Sequence, residues 1–178
     1  MSGTDATFDA LLTGTAQIAR PNVQLDGDGG PRTPVYAPTG ESVRVRITPA
    51  RSGSSDGLLG RTEDATHVIY ARPADIRVAD RLVMRPVTAT LSEDVNAGAM
   101  ELPVTSAEGF RDGRRVEIGD EELTVTGVSA NVLTVTPGVA EAYEKGEAVG
   151  VLVRYEVLGV EDAAGAGHHL RIMATMAG

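Results

Sequence analysis

The chain has 178 residues, 42% of them apolar, no cysteine and a net charge of −9. That length suffices for one large or two small domains, and no run of about 18 apolar residues marks a transmembrane helix. Without cysteine there are no disulfides and no thiolate metal sites, and a net-acidic chain is a poor fit to tight nucleic-acid binding.

Twenty-one glycines and nine prolines, with no long helical period, argue for short strands and many turns. The apolar residues are mostly Val, Leu, Ala and Ile, and Val favours strands. Fifteen of the sixteen basic residues are Arg, which reads as a GC-rich genome rather than as selection for phosphate or carboxylate pairing. Charge is uneven. Residues 87–151 carry twelve acidic and four basic side chains, and the remainder thirteen and twelve, which supports two units with different surroundings.

The start, MSGTDATFDALL, has no basic region before its apolar residues and does not read as a secretory signal. Residues 1–14 form an arm in which Phe8, Leu11 and Leu12 share one helical face, with Asp5 as a cap. A free helix this short is marginal in water, so the arm either docks on a neighbour or is disordered. Thr15 to Leu25 reads as a strand broken at Pro21, Asp26 to Gly30 as a hairpin turn, and Arg32 to Ala37 as the return. Ser42 to Ile47 alternates cleanly: Val43, Val45 and Ile47 face in, while Ser42, Arg44 and Arg46 face out.

Arg51 to Glu63, RSGSSDGLLGRTE, is a loop by composition, rich in Ser, Gly and Asp, with Leu58 and Leu59 in its middle. Its length is near the limit for a connection without structure of its own; such loops are often functional, and the plainer reading is a disordered surface loop. Asp64 to Leu82 reads as strand, tight turn at Pro73-Ala74-Asp75, and strand from Arg81 to Arg85. Between residues 87 and 151, strand signals at Met100 to Val104, Arg114 to Ile118, Leu123 to Val128 and Val132 to Thr136 are divided by turn signals at Glu108-Gly109, Gly119-Asp120 and Ala130-Asn131. Their even spacing suits a small β-barrel or sandwich. Val153, Tyr155 and Val157 then alternate, Gly159 to Gly167 reads as a loop, and Leu170, Ile172 and Ala174 alternate again.

Thr66-His67-Val68, Pro73-Ala74-Asp75-Ile76-Arg77, Asp80-Arg81-Leu82, Tyr155-Glu156-Val157-Leu158-Gly159-Val160 and His169-Leu170-Arg171-Ile172 follow one another in a set order. In that order they resemble the head-to-tail stopper, or head-closure, proteins of long-tailed bacteriophages. The Gly-rich hairpin near the start, and the strand ending at Pro49, extend the resemblance to roughly residues 15–85 and 152–176. The departure is the stretch between the Asp-Arg-Leu and Tyr-Glu-Val strands, which the family usually joins by a tight turn. That stretch resembles a small β-module of phage structural proteins, through Ala97-Gly98, Leu102 to Ser106, Gly109-Phe110, Gly119-Asp120 and Leu133 to Thr136.

The resemblance implies an all-β fold. A small β-barrel or sandwich stopper domain spans residues 15–86 and 152–178, and a second small β-domain, residues 87–151, is inserted in one hairpin. It implies a homo-oligomeric, dodecameric ring in the virion neck, made in the host cytoplasm. The ring would join a portal-bound adaptor protein to a tail terminator or tail tube protein, with no membrane and no cofactor. Viral double-stranded DNA would pass through its channel without sequence-specific binding. Arg51, Ser52, Gly53, Ser54, Ser55, Asp56, Gly57, Leu58, Leu59, Gly60 and Arg61 would form the gating loop, with Leu58 and Leu59 packing against symmetry copies. Because DNA repels acidic surface over about 8–10 Å, the acidic insert is expected outside the channel.

Other chemistry fits less well. Gly53-Ser54-Ser55-Asp56-Gly57 matches the G-x-S-x-G string, but a nucleophile elbow needs a strand before it and a helix after it. Gly165-Ala166-Gly167 opens no helix that could hold a pyrophosphate. Asp26-Gly27-Asp28-Gly29 starts like a calcium loop, but position 12 is Ala37 instead of Glu. His168 and His169, as strand neighbours, face opposite ways, and His67 reads as structural. No catalytic or metal residues are expected. The alternative function is a phage tail or surface module whose insert contacts host glycan or protein; a structural repeat in a non-phage assembly is a third reading.

Overall fold

A computed structural model describes residues 3–22, 34–50, 64–162 and 168–177. The turn expected at Asp26 to Gly30, the loop from Arg51 to Glu63 and the Gly165–Gly167 stretch lie outside the described residues. The fold is almost all β. One helix, α1 (Gly3–Leu11), precedes β1 (Gly14–Asn22), β2 (Val35–Pro49), β3 (His67–Ala71) and β4 (Arg81–Met84). Then come β5 (Thr88–Thr90), β6 (Glu101–Pro103), β7 (Arg115–Ile118), β8 (Glu121–Ser129), β9 (Val132–Thr136) and β10 (Ala148–Val151), and finally β11 (Val153–Asp162) and β12 (Leu170–Ala177). The chain divides into two compact units, Met1–Met84 with Arg154–Gly178, and Arg85–Val153.

The first unit is a closed barrel in the order β1-β2-β3-β12-β11-β4, with β4 returning to pair with β1. Period-two patterning closes it. Ala16, Ile18, Val43, Val45, Ile69, Ala71, Leu82, Met84, Tyr155, Val157, Ile172 and Ala174 are all buried and fill the interior. Six strands enclose a narrow space, and three of the inward residues are alanines. Closure also leaves the paired strands without open edges.

Several expectations need correction. The return strand and the Ser42 to Ile47 strand are one 15-residue strand, β2, whose register against β1 shifts between Gln17 and Ala19. β1 runs through Pro21 instead of breaking there. β3 and β4 do not form a tight hairpin; nine residues join them, and β12 and β11 lie between them in the barrel. The stretch from Gly159 to Asp162 is strand, not loop, paired with Leu170 to Met173 after a register shift at Val157/Gly159. α1 docks on its own barrel. Nine residues cannot hold a helix alone, and burial of Leu12 at its end contributes about 2 kcal/mol.

The second unit is a curled six-stranded sheet, β5-β10-β7-β8-β9-β6. Its two edge strands meet at a Leu91–Val104 bridge, and Thr105 N–H donates to the Thr90 carbonyl at 2.8 Å. The core includes Leu91, Leu102, Phe110, Val116, Ile118, Leu123, Val125, Leu133, Val135 and Val149. β5 and β10 were not foreseen; both are short. Arg85 donates to Glu117 at 2.7 Å across this unit. Glu121 accepts from Ala140 N–H (2.7 Å), Glu141 N–H (2.9 Å) and the Tyr143 hydroxyl (2.8 Å). Those backbone donors hold the Glu121 carboxyl below its usual range, while desolvation and the nearby carboxylate push Tyr143 up to about 12. Gly119 sits at φ +54° under that ring, where an added Cβ would lie 2.8 Å from Tyr143 Cε1.

The chain leaves the barrel after β4 and re-enters it at β11, and these two strands are antiparallel neighbours, about 5 Å apart. Replacing residues 87–151 by Asn-Gly, a two-residue hairpin turn, should therefore give a soluble chain with a β-type circular dichroism spectrum and a cooperative melt. An aggregated product without a melting transition would mean that the excised strands complete the barrel core.

Candidate functional site

All the expected gating residues, Arg51 to Arg61, lie outside the described residues, so the geometry available is that of the loop's base. Ala50 N–H donates to the Thr66 carbonyl at 2.9 Å, and Pro49 pairs with His67 at the end of the β2–β3 ladder. Thr66 N–H in turn donates to the Ala174 carbonyl at 3.0 Å. The Thr66 Oγ1 lies 2.8 Å from His67 Nδ1, and the His67 ring meets Tyr155 edge-on at 5.0 Å. His67 is thus a packing residue at the loop's base. Both ends of the loop are anchored to barrel strands.

The Pro73 to Leu82 stretch is organised by Asp80, 1% exposed and the one buried charged residue among those described. Its carboxylate receives Arg20 Nε and Nη2, each at 3.0 Å, and the Arg77 backbone N–H at 2.9 Å. Arg20 Nη2 also donates to the Asp75 carbonyl at 2.7 Å, and Arg77 grips the Asp75 carboxylate through Nε at 2.9 Å. Arg77 first, and Arg20 as well, hold the Asp75 carboxyl below its usual range. Ala79, at φ 71°, turns the chain so that its N–H reaches the Val157 carbonyl, while Val157 N–H reaches the Asp80 carbonyl. The segment therefore joins β1 to β11 around one fully paired carboxylate. Arg20 and Arg77 are committed to carboxylates, and the segment is a structural clasp.

On the outer face of the barrel a groove of about 800 Å³ opens between α1 and strands β2, β3 and β12. Asp9 of α1 receives Arg72 Nε at 2.7 Å, and the Phe8 ring lies 4.7 Å from that of His169. Arg72 holds the Asp9 carboxyl below its usual range. Arg44 donates to the Leu12 carbonyl, so two outward arginines pin the helix in place. His169 is engaged with Phe8, and among the described residues no three His, Asp or Glu side chains converge as a metal site would require.

No family model matches the chain, and no curated protein matches it either. Sequence reading missed the Arg20–Asp80 pairing, which spans 60 positions, and the groove. One signal for the groove was present: Val68 and Ile69 are consecutive apolar residues in a strand, and both are buried, so β3 is covered on both sides.

Proposed function

We propose that this chain is a head-to-tail stopper of a long-tailed bacteriophage. Copies form a closed, dodecameric ring in the neck between the portal-bound adaptor and the tail terminator or tail tube, and the loop from Arg51 to Arg61 gates the DNA channel after packaging. The observation that supports this best is the role of the resembling residues. Asp75, Arg77 and Asp80 lie far in sequence from Val157 of the Tyr155 to Val160 stretch, yet they meet in one clasp of a closed barrel whose β2–β3 connection is the proposed gate. A ring under pressure from packed DNA needs a rigid frame with a displaceable loop, and a loop anchored at both ends to barrel strands supplies that arrangement. No covalent step is involved.

Particles assembled without this chain separate this reading from a tail or surface binding module. Loss of a stopper should leave unjoined tails and heads that have lost their DNA, visible by electron microscopy. Complete, DNA-filled particles that fail only to adsorb to cells would overturn the stopper reading in favour of a receptor-binding role.

A further inference from the structure

The groove beside α1 has a chemistry that the clasp and the gate do not use. On the outer face of the barrel Arg46 of β2 and Arg171 of β12 lie opposite Tyr70 of β3 in one cross-strand row. Strands two apart are about 10 Å from each other, a span that two guanidinium side chains can close over the ring between them. Arg46 is exposed and has no hydrogen-bond or ion-pair partner among the described residues. Arg171 has its Nε buried without a partner, and its Nη1 makes only a 3.5 Å contact with Glu161. Arg44 and Arg72, by contrast, are occupied in holding α1. Two cationic groups thus border the groove, and Glu161, the loose counter-charge of Arg171, lies on β11 on the side away from Arg46. The rest of the lining is mostly apolar, with Val68, Phe8, Pro49, Ala50 and Leu11, the last 46% exposed, beside Thr48 and His169.

We propose that this groove binds a short segment of a partner protein that carries a carboxylate next to an aliphatic side chain. The carboxylate is received by Arg46 and Arg171 over the Tyr70 ring, and the aliphatic group covers Leu11 and Val68. Guanidinium pairs of this kind bind carboxylates through charge-assisted hydrogen bonds from their terminal nitrogens. A polyanion such as nucleic acid is disfavoured, because the groove offers two cationic groups, Arg46 and Arg171, on a chain of net charge −9. The inference rests on the groove alone and holds for a ring subunit or a binding module alike.

The test is amide-proton NMR on the full chain, titrated with the capped peptide acetyl-Leu-Glu-Leu-Asp-amide and, separately, with its neutral isostere acetyl-Leu-Gln-Leu-Asn-amide. Saturable shifts are expected at Arg46, Val68, Tyr70 and Arg171, with the neutral peptide about tenfold weaker. Arg46→Ala, at an exposed and unpartnered position, should keep the wild-type spectrum elsewhere and lose the carboxylate preference. Absence of shifts in the groove, or equal binding of the two peptides, would overturn the proposal. So would the same shifts on raising the protein concentration without peptide, together with a doubled mass, because the occupant would then be a second copy of this chain.

Discussion

Removing residues 53–60 should leave a folded chain that no longer retains packaged DNA. The fold is expected to survive because the cut touches no described strand. Ala50 N–H still meets the Thr66 carbonyl, Pro49 still pairs with His67, and five residues remain between Ala50 and Asp64, an ordinary hairpin connection. The function is expected to fail because Leu58 and Leu59, the apolar residues proposed to pack against ring neighbours, are gone. Particles carrying the deletion should assemble a neck, and their titre should fall to that of particles lacking the chain. Nuclease sensitivity of the genome after packaging is the direct readout. Full retention of DNA, with wild-type titre and a wild-type melt for the purified chain, would show that the loop is not the gate.

The largest effect on stability is expected at Asp80. Asp80→Ala strips three donors of their acceptor at once: Arg20 Nε, Arg20 Nη2 and the Arg77 backbone N–H. Breaking a buried pair by removing one partner costs about 3–5 kcal/mol. Here the low end applies, about 3 kcal/mol, because the Arg20 side chain keeps about a third of its surface in water and can be resolvated. That is a large fraction of the 5–15 kcal/mol typical of a whole domain. The loss should also loosen the backbone exchange between Ala79, Asp80 and Val157 that ties the clasp to β11. Urea denaturation followed by circular dichroism measures it. Arg20→Ala, which leaves the carboxylate buried with only the Arg77 N–H, should be similarly damaging, and the double variant less so than the sum of the two. A change within 0.5 kcal/mol for Asp80→Ala would place Asp80 among ordinary surface residues.

Much of the barrel was legible because its strands are two-faced. Val43, Val45 and Arg44, Arg46 alternate because one side of β2 fills the barrel and the other meets solvent or α1. The period was least informative where both faces are covered. In β3, Val68 lies under the groove while Ile69 and Ala71 fill the interior. Gly159 to Asp162 read as a loop because glycine and adjacent acids disfavour strands, but pairing with β12 overrides that local preference. In the second unit, Gly119 and Ala130 marked real turns, with φ of +54° and 49°, whereas β5 and β10 were too short to show a period. The pairing of Arg20 with Asp80 was not legible. Asp80 and Arg20 look like any other charged residues until the barrel brings β1 beside the segment before β4. Charge counting also hid the groove, because a net-acidic chain can still gather Arg46 and Arg171 on one face.

The measurement that bears most directly on the central proposal is a cryo-electron-microscopy map of the neck of a particle that contains this chain. The proposal predicts a closed ring of barrels between the portal-bound adaptor and the tail. The β2–β3 connections should point into the channel, and the acidic inserts, residues 87–151, should lie on the outside. A neck built entirely of other proteins, with this chain in trimers on the tail tip or the capsid surface, would contradict it.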